Sequence, residues 1–306
     1  MSLGPATFVV GHPRSGTSLA RAMLDGHPEL TVLPFETHLF DWAQAGDPAS
    51  ALLDRTRLWS TLHTHRPELT RDDVQETLRQ ALASAASVRE RLVALVEAWA
   101  GITGGDARRR WVEKTPRHLY ELPTLFRWFG PETRVVVLVR DPRDVMASQL
   151  KQDPSRSIVS MALTCRVADR MVQDWRESER VHVVSYEDLA ADAPAVMGPV
   201  CDFLGIHRDP AAFQPTVMGR PYGGNSRFQQ SLEGVSTRPV GRFRQVLSQA
   251  QQRKAEELLK DQLRAGGYPT DDAIPAGGGL QGVALSAAVA SGVWRSRRIR
   301  RMLQGR

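Results

Sequence analysis

A short β-rich run, Thr7–Val10, ends at Gly11, crosses the turn Gly-His-Pro-Arg-Ser-Gly and enters Thr17–Asp25, where Leu19, Ala20, Met23 and Leu24 recur at helical spacing. A buried strand joined to a helix by a glycine-flanked loop is the opening unit of a layered α/β fold, and later segments extend it. Leu30–Leu33 reads as a second strand and Trp111–Val112 as a third. The VVVLV run in Arg134–Val139 suits a central parallel strand buried on both faces. Val181–Ser185 adds another strand, and helices are expected at Pro194–Leu204 and Ser248–Ala265, the latter stopped by Gly266-Gly267. The expected fold class is α/β, a P-loop-like, doubly wound parallel sheet flanked by helices.

Residues 41–110 interrupt the alternation. They hold Trp42, Trp59 and Trp99, helical patterns such as Val88–Trp99 and no convincing strand, so they read as a helical insertion. Residues 207–240 are rich in Gly, Pro and polar side chains and read as a long loop. One α/β domain over residues 1–272, followed by a tail at 273–306, is the resulting organisation.

The octapeptide Gly11-His-Pro-Arg-Ser-Gly-Thr-Ser18 has the frame of the phosphate loop G-x-x-x-x-G-K-[ST], whose backbone N–H groups and helix N-terminus hold phosphate oxygens. Thr17 stands where that motif has its lysine, and the cation has moved to Arg14. A nucleoside triphosphatase needs that lysine on the β- and γ-phosphates. Anion binding survives the change, because it rests on N–H groups and on the hydroxyls of Ser15, Thr17 and Ser18. A second anion motif follows the VVVLV strand. Arg140 at the strand end and Ser148 eight residues later offer a guanidinium fork and a hydroxyl to one dianion. A surface pair of Arg140 with Asp141 or Asp144 is the plainer alternative.

Together these residues resemble the sulfotransferases that use 3′-phosphoadenosine 5′-phosphosulfate (PAPS). Pro13–Leu19 is similar to their 5′-phosphosulfate loop, which includes Gly16, and Arg140–Ser148 to their 3′-phosphate motif. Ser185-Tyr-Glu-Asp-Leu189 and Gly234–Arg244 agree in order, so the resemblance runs from residue 7 to about 268 but leaves 41–110 and the tail unmatched. It implies that Arg242 and Ser236 close over the 3′-phosphate and that Tyr186 helps to seat the nucleotide. It further implies PAPS as co-substrate, 3′-phosphoadenosine 5′-phosphate (PAP) as product, no metal, and a hydroxyl-bearing acceptor such as a glycan, a lipid or a small molecule.

Phe35-Glu-Thr-His-Leu-Phe40 resembles the E-x-H-x-F pattern of the heparan-type branch and the Glu-Thr of the tyrosylprotein branch. In both, the glutamate is the base, so Glu36 is the expected general base, with His38 as helper or second proton acceptor. A helix cap at Glu36 with His38 packed beneath it is the alternative. Glu113-Lys-Thr-Pro116 matches E-K-[ST]-P in the same branches, which makes Lys114 the expected aid to the leaving group, a role that Arg14 is placed to share. The aryl and steroid branch usually carries a lysine in the phosphate loop and a histidine base, and this chain departs from both. A P-loop kinase or phosphotransferase, and a catalytically silent nucleotide-binding protein, are the competing readings. Residues 41–110 and 151–175 are expected to shape the acceptor pocket, and His63 and His65 are either part of it or surface groups.

The formal charge of +6 needs locating before it means anything. Arg295, Arg297, Arg298, Arg300, Arg301 and Arg306 all lie beyond the last acids, Asp271 and Asp272, so residues 1–272 sum to zero. A nucleic-acid-binding body is therefore not expected. The arginine-rich tail would suit an anionic membrane surface or an acidic partner, with a solvated or locally docked tail as the plainer alternative. Met1–Thr7 lacks a basic n-region, which points to a cytoplasmic protein, peripheral at a membrane if the tail attaches. Cys165 and Cys201 read as buried side chains rather than as a disulfide or a zinc site.

Overall fold

The computed structural model describes residues 3–40, 68–222 and 235–274. Five parallel strands form one sheet: β1 (Ala6–Gly11), β2 (Leu30–Val32), β3 (Arg110–Lys114), β4 (Arg134–Val139) and β5 (Val181–Ser185), in the order β2-β3-β1-β4-β5. β1 is central, pairing Val9 with Lys114 of β3 and Gly11 with Leu138 of β4.

The period-two alternation of the strands dictates the layers. Phe8, Val10, Val135 and Val137 project to one face, against α2 (Arg71–Ala83), α3 (Val88–Thr103), α4 (Leu122–Phe129) and α6 (Ile158–Trp175). Val9, Val112, Val136 and Leu138 project to the other, against α1 (Thr17–Leu24), α7 (Tyr186–Ala191) and α8 (Ala193–Leu204). A strand apolar at every position, as β4 nearly is, must be covered on both sides, and these helices cover it. A third cluster joins α5 (Pro142–Gln152) and α6 to the one-turn α9 (Phe243–Val246) and to α10 (Gln249–Ala265).

Residues 71–103 form a helix pair in the crossover from β2 to β3. Capping boxes at Thr70/Asp73 and Ser87/Glu90 start the two helices. Leu78, Leu92, Leu95 and Trp99 enter the main core, with Trp99 edge-on to Phe35 at 5.3 Å. The remainder of the expected insertion, 41–67 with His63 and His65, lies outside the described residues, as do 223–234 and the arginine-rich 275–306.

Two local expectations are corrected. β3 runs to Lys114 rather than stopping at Val112, because pairing with β1 carries the charged Glu113-Lys114 into the ladder. Residues 207–222 are not plain loop: they contain a 3-10 turn, Pro210–Phe213, and the short paired strands β6 (Thr216–Val217) and β7 (Arg220–Pro221). Cys165 and Cys201 are buried free thiols. Among the described residues no helix is long and apolar enough to cross a membrane, and no group of three His, Cys, Asp or Glu side chains is placed to hold a metal ion.

Candidate active site

In a parallel sheet the loops that follow the strands all open at one edge, and the central strand is where neighbouring connections diverge to leave a crevice. The loops after β1, β2, β3 and β4 meet there around a cavity of about 410 Å³. Arg14, Gly16, Thr17, Ser18, Glu36, His38, Arg140, Ser148, Tyr186, Ser236 and Arg242 all line it.

The loop after β1 can adopt its shape only with glycine at position 16. Gly16 has φ 104°, and a Cβ there would come within 2.3 Å of the Tyr186 ring. It is also the N-cap of α1 and brings no side chain to cap the first turn. The amides of that turn are thus the kind of donors that receive an anion. Ser15 is buried, and its Oγ has no partner. Arg14 adopts φ 82° and His38 φ 48°, two of the three non-glycine residues with positive φ among the described residues. Such conformations are costly and persist where the surrounding structure holds them.

Glu36 and Lys114 form an ion pair. Lys114 reaches it from the end of β3, donating from Nζ to Glu36 Oε1 and, at 3.2 Å, to Ser18 Oγ of α1. The other carboxylate oxygen of Glu36 lies 3.2 Å from His38 Nε2. Burial alone would push the Glu36 carboxyl up, but the His38 hydrogen bond and the charge of Lys114 outweigh it and hold the carboxyl down at about 2. Burial pulls the Lys114 ammonium below the ordinary lysine range, with Glu36 opposing. Lys114 itself is buried and is not among the residues that line the cavity, whereas Glu36 is.

Glu113, beside Lys114, is fully buried and organises the loop after β2. Its Oε1 accepts from Thr37 N at 3.2 Å, Thr37 Oγ1 at 2.9 Å and Thr115 Oγ1 at 2.6 Å, while Oε2 pairs with His118 Nδ1 at 2.9 Å. Thr115 Oγ1 accepts from His38 N at 3.3 Å. The residues flanking Thr37 are Glu36 and His38, so this network sets where both side chains start. Glu113 belongs to the E-K-[ST]-P motif, in which only the lysine carries an expected role. A carboxylate at the end of a buried strand was the available signal.

Arg140 leaves β4 over the Tyr186 ring, 4.4 Å from its centre, and donates to Arg14 O at 3.2 Å and Pro239 O at 2.6 Å. Its Nε is buried without a partner. Of the alternative carboxylates, Asp141 is taken by a fork from Arg143, and Asp144 lies 3.7 Å from Arg140. Asp144 accepts from Gly241 N at 2.7 Å and Phe243 N at 2.8 Å, which ties the segment carrying Arg242 to α5. Burial raises the Asp144 carboxyl above its usual range, opposed by these bonds and by Arg140. Arg14 donates from Nε to Ser148 Oγ at 2.9 Å, so it joins the Arg140–Ser148 half of the site. Arg117, Lys151, Tyr222 and Arg238 also line the cavity without a motif that marks them in sequence.

A family model described as the sulfotransferase family matches residues 5–210. Protein-tyrosine sulfotransferase 2 of Gallus gallus is 26% identical over 244 residues, which cover 76% of this chain and 60% of that protein. The chain thus spans under two thirds of that relative. The sulfotransferase domain from the curacin biosynthetic pathway superposes with a TM-score of 0.58 at 20% identity, covering 88% of this chain and 99% of that domain. The sulfotransferase domain of the Synechococcus PCC 7002 olefin synthase gives 0.59 at 21%, covering 88% and 98%. These two share the fold. With the family model spanning well over half of its length, the protein belongs to the sulfotransferase family.

Proposed function

We propose that the protein is a PAPS-dependent O-sulfotransferase in which Glu36 is the general base. The observation that carries this reading is the chain Ser18–Lys114–Glu36–His38, which joins the phosphate loop to a carboxylate facing the cavity. Bound PAPS would supply an activated sulfuryl group: the acceptor oxygen bonds to sulfur, the bond from sulfur to the bridging oxygen breaks, and PAP leaves. The residues present fit such a donor. The phosphate-loop amides with Ser15, Thr17 and Ser18 would hold its 5′ end, and Arg140, Ser148, Arg242 and Ser236 its 3′-phosphate. Arg140, Ser148, Arg242 and Ser236 all line that one cavity, as do Thr17 and Ser18, whereas Ser15 lies outside its lining.

Glu36 takes the acceptor proton, and Lys114 offers its ammonium to the departing oxygen. Paired to Lys114, Glu36 is a weak base. Drawing Lys114 toward a leaving oxygen removes the charge that depresses Glu36 and makes it a stronger one. The kinase reading lacks support, since Thr17 replaces the phosphate-loop lysine and the nearby lysine is committed to a carboxylate. A silent binder would have no use for Glu36 in the cavity wall. The name of the avian relative says that it acts on protein tyrosine, which supports an oxygen acceptor here.

A thermal shift with PAP, without metal, tests the reading against ADP and against ATP with Mg²⁺. PAP at a hundredfold excess over its Kd should stabilise the protein by about 2.7 kcal/mol. Stabilisation by ATP with Mg²⁺ in preference to PAP would restore the kinase reading.

A further inference from the structure

A second cavity, of about 430 Å³, opens beside the first, and the two share Pro13, Arg14, Arg117 and Gln152 in their walls. It lies between the phosphate loop, the 3-10 turn Pro116–Glu121, the end of α5 and the start of α6. Arg117 enters from the turn and Arg156 from the segment before α6. Arg117 is exposed and makes no hydrogen bond or ion pair among the described residues. Asp153 is the one carboxylate among the lining residues. It sits 3.7 Å from Arg156 and is already bound by Ser155 N and Oγ, at 3.1 and 2.5 Å.

Both arginines act on the same wall residue. Burial lowers the His12 imidazole to about 4, and the charges of Arg117 and Arg156 add to that shift. Ser157, the N-cap of α6, and Ser160 of its first turn join the lining at the positive end of an 18-residue helix. Gln149, 5% exposed, has its Oε1 buried there with no partner. The cavity is thus basic, with an unmet acceptor for an O–H or N–H. The donor's two phosphate ends are already assigned to the first cavity, and Arg156 is not in that cavity's wall.

We propose that this second cavity is the acceptor subsite, and that the acceptor is a small hydroxyl compound carrying an anionic group, held by Arg117 and Arg156 while its hydroxyl reaches Glu36 across the shared wall. This rests on the reading of the first cavity as the PAPS site. A carboxylate is the simplest such group, because guanidinium forks match its two oxygens.

The test is sulfuryl transfer from PAPS to hydroxy acids, aromatic and aliphatic, each run beside its own methyl ester, with PAP affinity measured in parallel. At least one acid should exceed its ester tenfold or more in kcat/KM. Arg117→Ala and Arg156→Ala should each lower that advantage at least fivefold, and Arg156→Ala, at a position outside the donor cavity's wall, should do so with PAP still bound, which reports an intact fold. If PAP binds but no acid outperforms its ester, or the advantage persists in both variants, the acceptor subsite is refuted and the donor site stands. If PAP does not bind the wild-type protein, the donor-site reading falls and takes the subsite with it.

Discussion

Arg14 and Ser148, 134 residues apart in the chain, meet through a 2.9 Å hydrogen bond from Nε to Oγ that ties the phosphate loop to α5. Both residues line the cavity proposed for the donor, so the two anion motifs belong to one site rather than two. Ser148→Ala removes the hydroxyl that Arg14 uses and one proposed partner of the 3′-phosphate. Loss of a hydrogen bond to a charged group costs about 1.5–3 kcal/mol, so PAP affinity should fall on the order of tenfold to a hundredfold, as read by calorimetry. An unchanged Kd would remove Ser148 from the site.

Glu36→Gln keeps the shape of the side chain and removes the base. Transfer should drop on the order of 10²- to 10⁴-fold in kcat, while PAP affinity changes little. A variant that turns over normally would pass the role of base to His38.

Gly16→Ala places a methyl group against the Tyr186 ring at a φ of 104°, which alanine adopts only at a cost. The loop has to move, because its neighbour is a packed ring under Arg140. The stabilisation by PAP in the thermal shift is expected to disappear, with a smaller drop in the midpoint of the ligand-free protein.

Glu113→Ala leaves His118 and the amide of Thr37 buried without the carboxylate that both use. Breaking a buried pair by removing one partner costs about 3–5 kcal/mol, which a urea titration would show as a lower midpoint. A loss below 1 kcal/mol would mean that the network does not hold the loop.

His12 gives the protein a pH dependence of known sign. The folded protein keeps the ring neutral down to about pH 4, whereas the unfolded chain protonates it near its ordinary value of 6.5. Between these values the unfolded state binds more protons, so this contribution is fully present above pH 6.5 and is lost as pH falls toward 4. The change is about 3 kcal/mol across the window. Urea titrations at pH 7 and pH 4.5 should show a smaller drop in stability for His12→Gln than for the wild type.

Much of the fold was legible because its signals are local. β4 lies at Arg134–Val139, as its continuous apolar run indicates, β5 lies at the expected Val181–Ser185, and the glycine-flanked loop between β1 and α1 announces a strand, a tight turn and a helix within twenty residues. The proposed site residues were likewise named from short motifs, and most of them line one cavity. What each side chain touches was not legible. Lys114 meets Glu36, 78 residues away, because β3 pairs in register with β1 and brings its end to the edge where the β2 loop also opens. Arg14 reaches Ser148 of α5, a contact that no motif announces. Arg117 and Arg156 share a cavity although no motif links them. The residue pattern decides strands, helices and the turn between them, since each depends on neighbours a few positions away. Parallel pairing then joins loops that are far apart in sequence, and that register decides which charges meet.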